Sequence, residues 1–288
     1  MNKIVDLHTH SIYSDGEYSP RKILDIAKNN NIGILSLTDH DNINGSKELV
    51  KYNNEGVYIY SGVELTAKVD KGRMHILGYN IDLDNEELNK RLEEMHEASI
   101  YNILLYIELL KKDYNITISE KDINDIISKP GNIGRPQLAL KLIELGIVNT
   151  VDEAFNKYLR NVYNKVRKLK KGLTKEEAIS LIINAGGIPI LAHPVSLELS
   201  RYDLEKEIQY LQVLGLKGIE RIHTNIKQED RVFYEHLARK YHLLETGGSD
   251  YHGPSVKPDV QIGHGRNNNV RIKENTLSLT KKIKSRYM

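Results

Sequence analysis

The sequence predicts an α/β fold in which parallel strand–helix units close into a sheet or barrel, with one inserted helical stretch. Short apolar runs of strand length alternate with helical patterns near both ends of the chain. Between them, residues 96–169 carry almost only helical periodicity. We therefore predict one barrel domain from residues 1–95 and 170–288, with residues 96–169 as a helical insertion that contributes to the substrate pocket.

The first part of the chain contains strand signals separated by helical ones. Four apolar runs have the length of buried strands: residues 4–7, 34–37, 57–60 and 74–79. Ser19 and Pro20 predict the start of a helix that runs to about residue 30. Serine caps helix starts well, and proline fits the first helical turn.

The pattern changes in the insertion and then returns. Leu88, Leu92 and Met95 share one helical face, and Ser119 precedes a further predicted helix. Thr174 and the glutamate three residues later have the form of a capping box. Strand signals then resume at residues 188–191, 218–220 and 243–246, with a helix predicted over residues 228–241.

Composition excludes several classes of protein and site. The chain has 288 residues and no cysteine, which excludes disulfides, thiolate metal sites and cysteine nucleophiles. A balance of 41 basic and 39 acidic residues gives no electrostatic reason to bind long nucleic acid. No apolar run approaches the roughly 20 residues that span a bilayer, and the N-terminus resembles no signal peptide. We expect a soluble, cytoplasmic protein with no membrane association.

Residues of metal-ligand type adjoin nearly every predicted strand. In chain order they are His8, His10, Asp15, His40, Glu64, His75, His193, Asp250 and His252. The carboxyl ends of strands meet at one mouth in α/β folds, so we expect these side chains to converge. His75 begins its strand, and we therefore expect its loop to reach the mouth. Imidazole and carboxylate together suit Mn²⁺, Fe²⁺ or Zn²⁺.

These motifs resemble those of the PHP family (polymerase and histidinol phosphatase). The resemblance rests on residues 6–10, 14–16, 38–41, 62–64, 192–194 and 248–252. It implies a distorted (β/α)7 barrel and a centre of two or three divalent ions. By resemblance, one ion takes His8, His10, Glu64 and Asp250. A second takes His75 and His193 with Glu64 bridging, and a third takes Asp15, His40 and His252.

Within the family, the chain is most similar to stand-alone members that cleave the 3′-phosphate of nucleoside 3′,5′-bisphosphates and trim RNA 5′ ends. This implies a phosphomonoesterase that uses a metal-bridging hydroxide, with Glu64, His193, Asp250 and His223 catalytic. Arg135, His223 and Gln137 are the predicted substrate contacts. Such members usually have histidine at the position of Gln137, and carry arginines where residues 96–102 have none. The reaction class is therefore better specified than the substrate.

Two other interpretations remain open from the sequence. The substrate could be histidinol phosphate, a cyclic phosphate or a sugar phosphate instead of a bisphosphate or a short RNA end. The chain could also be a non-catalytic metal-binding module, although the retention of all nine ligand types speaks against that. No protein partner is indicated.

Overall fold

The structure is a computed structural model that describes residues 3–53, 55–128, 133–166, 169, 171–273 and 276–280. The chain divides into two compact units. The barrel unit consists of Met1–Asn89 and Leu173–Met288, and the helical unit of Lys90–Gly172. The division into a barrel domain and an insertion at residues 95 and 170 remains a prediction.

The barrel unit alternates strands with helices, as the sequence predicts. Its strands are β1 (Ile4–Asp6), β2 (Ile32–Ser36), β3 (Tyr58–Tyr60), β4 (Gly62–Ala67), β5 (Met74–Tyr79), β6 (Ile188–Leu191), β7 (Gly218–His223), β8 (Leu244–Gly248) and β9 (Ile272–Lys273). Its helices are α1 (Pro20–Asn29), α2 (Asn44–Leu49), the start of α3 (Glu86–Tyr114), α8 (Lys175–Asn184), α9 (Arg201–Leu214) and α10 (Gln228–Lys240). The predicted α/β class is confirmed.

The strands form two sheets with different directions of pairing. One sheet has the order β3-β2-β1-β9, in which β1, β2 and β3 run parallel. The other has the order β4-β5-β6-β7-β8. There, β5 runs antiparallel to both of its neighbours, whereas β6, β7 and β8 are parallel. Strand β4 was not among the predicted strands, so this reversal of direction was not predicted either.

Two seams of backbone contacts join the sheets into a distorted ring. At the β1–β8 seam, the Leu7 N–H donates to the Gly247 carbonyl at 3.3 Å, and Thr9 forms a parallel bridge with Tyr251. At the other seam, His40 forms a parallel bridge with Glu64 on β4. Only Ser61 separates β3 from β4, so we count these two as one bent strand. Together with β1, β2, β5, β6, β7 and β8, they give the ring seven strand positions among the described residues.

Packing on the outside of the first sheet explains helix α1. The Ser19 side chain accepts the Lys22 N–H, and Pro20 occupies the first turn, as predicted. Ile23, Leu24 and Ala27 are completely buried in the cluster that also holds strand residues of β1 and β2. Their spacing places them on one helical face, so burial of that face fixes the helix on the sheet.

The helical unit has an apolar core of its own. Its remaining elements are α4 (Glu120–Ile127), α5 (Arg135–Glu144) and the continuous run of α6 (Val151–Ala154), a π-helical turn (Phe155–Leu159) and α7 (Arg160–Val166). Leu110, Leu138 and Leu142 are fully buried at its centre. Ser119 caps α4 by accepting the Asp122 N–H, as the sequence predicts. None of the helices that the structure describes is long and apolar enough to cross a membrane.

Candidate metal centre

The carboxylate of Glu64 lies at the middle of a ring of imidazoles. Glu64 is on β4 and is completely buried. Five ring nitrogens lie close to its two oxygens: His8 Nε2 at 3.1 Å, His10 Nε2 at 3.3 Å, His40 Nδ1 at 3.1 Å, His75 Nδ1 at 2.9 Å and His193 Nε2 at 2.9 Å. The structure thus brings together six of the predicted ligands from five separate segments of the chain.

The direction of strand β5, which was not predicted, places His75 in this cluster. Because β5 is antiparallel to β6, its first residues lie beside the carboxyl end of β6. The Ala192 N–H donates to the His75 carbonyl at 3.0 Å, directly before His193. The expectation that a loop must carry His75 to the mouth was therefore wrong, since the reversal of strand direction places it there.

Asp15 and Asp250 face the same cluster from the opposite side. Asp15 Oδ1 lies 3.1 Å from His252 Nε2 and 3.7 Å from His10 Nδ1, and Asp15 Oδ2 lies 3.9 Å from His40 Nε2. Asp250 Oδ1 lies 3.3 Å from His10 Nε2 and 3.4 Å from His252 Nδ1. All nine predicted ligand residues consequently border one continuous cluster.

In three of these histidines, the hydrogen-bond partner of Nδ1 fixes the tautomer. His8 Nδ1 lies 2.9 Å from Glu220 Oε1, and His252 Nδ1 lies 2.9 Å from the Asp250 carbonyl. His193 Nδ1 lies 2.9 Å from Ser196 Oγ, whose hydroxyl donates to the Arg73 carbonyl. Each Nδ1 therefore donates its N–H, which leaves the Nε2 lone pair facing the cluster, as a metal ligand requires.

His223 has the opposite tautomer. Its Nδ1 accepts the Asn225 backbone N–H at 3.0 Å, so Nε2 carries the proton. This Nε2 lies 3.2 Å from Asp250 Oδ2, and it has no hydrogen-bond partner of acceptable geometry among the described residues. His223 is consequently a donor at the edge of the cluster, and not a ligand of the same kind as His8.

Buried carboxylates behind the cluster hold its loops in place. Asp39 accepts the Ser11 N–H at 2.6 Å and the Ser14 hydroxyl at 2.7 Å. It therefore fixes the loop after His10, and orients that imidazole only by way of Ser14, whose Oγ lies 3.4 Å from His10 Nδ1.

Two further carboxylates that support the cluster, those of Glu220 and Asp6, were not predicted from the sequence. Glu220 binds His8 Nδ1 and also accepts the His193 N–H at 2.7 Å. Asp6 accepts the N–H groups of Ser249 and Gly263 at 2.8 and 2.6 Å. Both residues are fully buried within predicted strands of otherwise apolar character. An acidic residue inside such a strand was the available signal, because a buried charge requires a partner.

Electrostatics keep the central carboxylates ionised. Burial favours the protonated form of Glu64, but the surrounding imidazoles outweigh it and hold the pKa of this carboxyl well below its usual range. The pKa of Asp15 is likewise lowered against burial by His252, His40 and His10. Burial lowers the pKa of His75 to about 4. The neighbouring carboxylates outweigh burial at two other histidines, raising the pKa of His10 to about 9 and that of His8 well above its usual range, so a bound cation would displace protons there. Ionised carboxylates and neutral imidazoles are the forms that bind cations.

The donor set fits a cluster of divalent cations. His10 Nε2, Asp15 Oδ1 and His40 Nδ1 are buried and have no hydrogen-bond partner among the described residues, although each faces the cluster. Among the described residues, four groups have ligand atoms within 4.8 Å of one another: His10 with Asp15, His40 and His252; His8 with His10 and Glu64; His40 with Glu64 and His75; and His8 with Glu220 and His223. Buried polar atoms without partners are costly, and a bound cation would satisfy them.

The predicted substrate residues Arg135 and Gln137 lie in the helical unit, at the start of α5. The Arg135 guanidinium stacks over the Tyr163 ring, 4.2 Å from its centroid. Gln137 is 7% exposed, and its Oε1 accepts the Gly134 N–H at 2.8 Å. Gln137 therefore caps α5. The substrate contacts assigned to both residues stay predictions.

Comparison with curated proteins finds relatives that span most of the chain. The 5′-3′ exoribonuclease Rnm of Salmonella typhimurium is 28% identical over 264 residues, covering 90% of this chain and 88% of the relative. The 3′,5′-nucleoside bisphosphate phosphatase of Chromobacterium violaceum is 27% identical, covering 90% of both. The phosphoribosyl 1,2-cyclic phosphate 1,2-diphosphodiesterase of Eggerthella lenta is 29% identical, covering 87% of this chain and 94% of the relative.

Solved structures show the same fold. A chain from Bifidobacterium adolescentis, described as a candidate metal-dependent phosphoesterase, matches with a TM-score of 0.79 and 26% identity, covering 94% of this chain and 95% of the other. An amidohydrolase from Chromobacterium violaceum, solved with sulfate and without metal, matches with a TM-score of 0.83 and 25% identity, covering 99% and 97%.

The family model for the PHP domain matches residues 6–244, which include most of the strands and seven of the nine clustered ligand residues. Asp250 and His252 follow that span on the loop after β8. A match over most of the chain, together with the clustered imidazoles and carboxylates, identifies the protein: it belongs to the PHP family and is a metal-dependent phosphoesterase.

Proposed function

We propose that this protein is a phosphomonoesterase that removes the 3′-phosphate of nucleoside 3′,5′-bisphosphates and acts on short 5′-phosphorylated oligonucleotides. The observation that carries the proposal is the Glu64 cluster, in which inward-facing lone pairs and ionised carboxylates surround one carboxylate. Relatives in Salmonella typhimurium and Chromobacterium violaceum, named for RNA ends and bisphosphates, support the substrate class.

The centre would hold two or three divalent ions, of Mn²⁺, Fe²⁺ or Zn²⁺. We assign His8, His10, Glu64 and Asp250 to one ion and His75 and His193 to a second, with Glu64 shared. Asp15, His40 and His252 would hold a third. The sharing is supported by the positions of the two Glu64 oxygens, since Oε1 faces His75 and His193 while Oε2 faces His8 and His10. His40, which we assign to the third ion, also lies against Oε2, at 3.1 Å.

Divalent ions in such a centre activate water at neutral pH and neutralise phosphoryl oxygens. The protein's own residues then have distinct tasks. Glu64, His193 and Asp250 fix the positions of the reacting groups, because their backbone and side-chain hydrogen bonds leave them little freedom. The His223 Nε2–H can donate to a phosphoryl oxygen, since its tautomer is fixed by Asn225. Arg135 would bind a phosphate through its guanidinium fork.

His223 is better suited to this task as a neutral donor than as an acid. Burial lowers the pKa of its imidazole, against the attraction of Glu220 and Asp250. The protonated imidazolium form of His223 is therefore disfavoured in this environment. A neutral Nε2–H still offers a directed hydrogen bond to developing negative charge on phosphate.

The second candidate is hydrolysis of a cyclic phosphodiester. Its support is the Eggerthella lenta relative, which is named for a phosphoribosyl 1,2-cyclic phosphate. The absence of arginine from residues 96–102 also weakens the case for a bisphosphate. A second substrate phosphate would lose the charge-assisted hydrogen bonds that arginine provides.

A product screen that measures both released phosphate and, by chromatography, the organic products tests the proposal. The purified protein, supplied in turn with Mn²⁺, Fe²⁺ and Zn²⁺, is given adenosine 3′,5′-bisphosphate, adenosine 3′-monophosphate, a 5′-phosphorylated tetranucleotide and ribose 1,2-cyclic phosphate. We expect kcat/KM to be highest for the bisphosphate, with adenosine 5′-monophosphate as product. Opening of the cyclic ester with the bisphosphate untouched would replace the proposal with the second candidate.

A further inference from the structure

The two oxygens of Asp250 have different surroundings. Oδ1 faces the cluster, 3.3 Å from His10 Nε2 and 3.7 Å from His8 Nε2. Oδ2 accepts a hydrogen bond from the Lys257 ammonium group at 2.5 Å and lies 3.2 Å from His223 Nε2. A carboxylate whose second oxygen is held by a cationic donor has one oxygen left for a metal ion.

The backbone around Asp250 is also constrained. Asp250 has a φ of 58°, in the left-handed region that few residues other than glycine adopt. Its N–H donates to the His8 carbonyl at 2.8 Å, which anchors it to the end of β1. A strained backbone that persists in this way is typical of functional positions.

The loop that carries Lys257 is firmly held. The Lys257 N–H donates to the Gly253 carbonyl at 2.9 Å, and its Nζ also donates to the Asp250 carbonyl at 3.3 Å. Gly253 has a φ of 95°, and an added Cβ would lie 2.5 Å from the Glu17 Cβ. The lysine side chain is 30% exposed. Its ammonium group is therefore positioned by the loop as well as by the carboxylate.

We propose that Lys257 is a positioning residue of the metal centre, which occupies one oxygen of Asp250 and so restricts this carboxylate to binding an ion through the other. The proposal rests on the metal centre of the proposed function, but not on its substrate. A bound ammonium group also draws charge away from the carboxylate, which leaves an ion at Oδ1 more electrophilic. Loss of Lys257 would free Oδ2 to approach the ion.

Cobalt substitution provides a test that does not depend on catalysis. The visible absorption of protein-bound Co²⁺ reports the number and geometry of its ligands, and titration gives its affinity. We would compare wild-type protein with Lys257→Met, Lys257→Gln and Lys257→Arg. Lys240→Met is the matched control, because Lys240 forms an exposed ion pair with Glu205 on α9. Circular dichroism would establish that each variant is folded.

We expect Lys257→Met and Lys257→Gln to change the Co²⁺ spectrum and to strengthen Co²⁺ binding, because Oδ2 becomes available to the ion and a neighbouring positive charge is lost. Lys257→Arg should keep the wild-type spectrum, and Lys240→Met should change neither quantity. The wild-type spectrum and affinity in both Lys257→Met and Lys257→Gln would overturn the proposal. Absence of bisphosphatase activity in wild type, with these spectral changes present, would count against the substrate alone.

Discussion

Apolar side chains fill the interior of the helical unit, whereas ionisable groups fill the mouth of the barrel unit. Leu110, Leu138 and Leu142 are fully buried among other apolar side chains. Glu64 and His8 are buried to the same degree, but among charges and hydrogen-bond donors. Apolar burial stabilises a fold in proportion to area and needs no ligand. Buried charge requires a compensating partner, so the barrel mouth depends on what it binds.

The two units also differ in charge. Residues 90–172 contain 15 lysines and arginines against 11 aspartates and glutamates, a formal charge of +4, which leaves 26 against 28 and a charge of −2 for the rest. The barrel unit is therefore the acidic part, as suits a cation centre. The comparison teaches that the core of the helical unit is stabilised without a ligand, whereas the mouth of the barrel unit is suited to binding cations.

The largest expected effect follows from removing the central charge. Glu64→Gln should reduce phosphatase activity to background, because the amide cannot replace the ionised carboxylate that five imidazoles surround. Metal content by mass spectrometry should fall as well, while circular dichroism stays unchanged. Glu205→Gln on α9 is the control, since that carboxylate only pairs with exposed groups. Near-normal turnover in Glu64→Gln would show that the barrel mouth does not depend on this carboxylate.

A cavity in the helical unit should act on stability and not on cations. Leu110→Ala should lower the free energy of unfolding of this unit by about 2–5 kcal/mol, as large-to-small changes in leucine cores do. Hydrogen exchange of helix α5 measures the loss. The Mn²⁺ affinity of the protein should not change, and a parallel loss of ion binding would show that the two units are not energetically separate.

Addition of ions should stabilise the barrel unit selectively. At a free Mn²⁺ concentration 100 times the Kd, linkage predicts about 2.7 kcal/mol of additional stability. We expect slower hydrogen exchange at residues 8–16 and 250–257, which carry the ligands and their loops. Exchange within α4 and α5 should be unaffected by ions or by EDTA. If Mn²⁺ slowed hydrogen exchange equally in both units, cation binding would not be confined to the barrel unit.

The smallest effect is expected from a matched pair of helix caps. Ser119 caps α4 in the helical unit, and Ser200 caps α9 in the barrel unit, each by accepting the N–H three residues later. Ser119→Ala and Ser200→Ala should each cost about 1 kcal/mol. Thermal melts with and without Mn²⁺ should give the same loss for either variant. Neither serine lies among the clustered residues, so an ion-dependent loss would require a different account.

Much of the centre could be predicted because its residues follow strand ends. His8, His193 and Asp250 were located by that rule alone, before any distance was known. The direction of β5 could not be predicted, since a reversed strand has the same apolar pattern as a parallel one. The hairpin of β4 and β5 is recognisable only from its pairing, in which Glu64 is opposite Leu77.

Roles that depend on hydrogen-bond direction were also beyond the sequence. His8 and His223 are both buried histidines at strand ends, yet one exposes a lone pair to the cluster and the other an N–H. The difference arises from Glu220 and Asn225, which contact the opposite nitrogen of each ring. Such second partners lie far apart in sequence, or in turns whose geometry the residue types do not specify.

The seam between β1 and β8 has a consequence for how the chain is made. β1 pairs with β2 early in the sequence, but its other neighbours, β8 and β9, are encoded more than 200 residues later. During synthesis, the backbone groups on one edge of β1 therefore remain unpaired until nearly the whole chain has been made. A nascent chain that stops before residue 250 lacks Asp250 and His252, two of the nine clustered groups. Binding of the full set of cations therefore requires that the chain has been synthesised beyond β8.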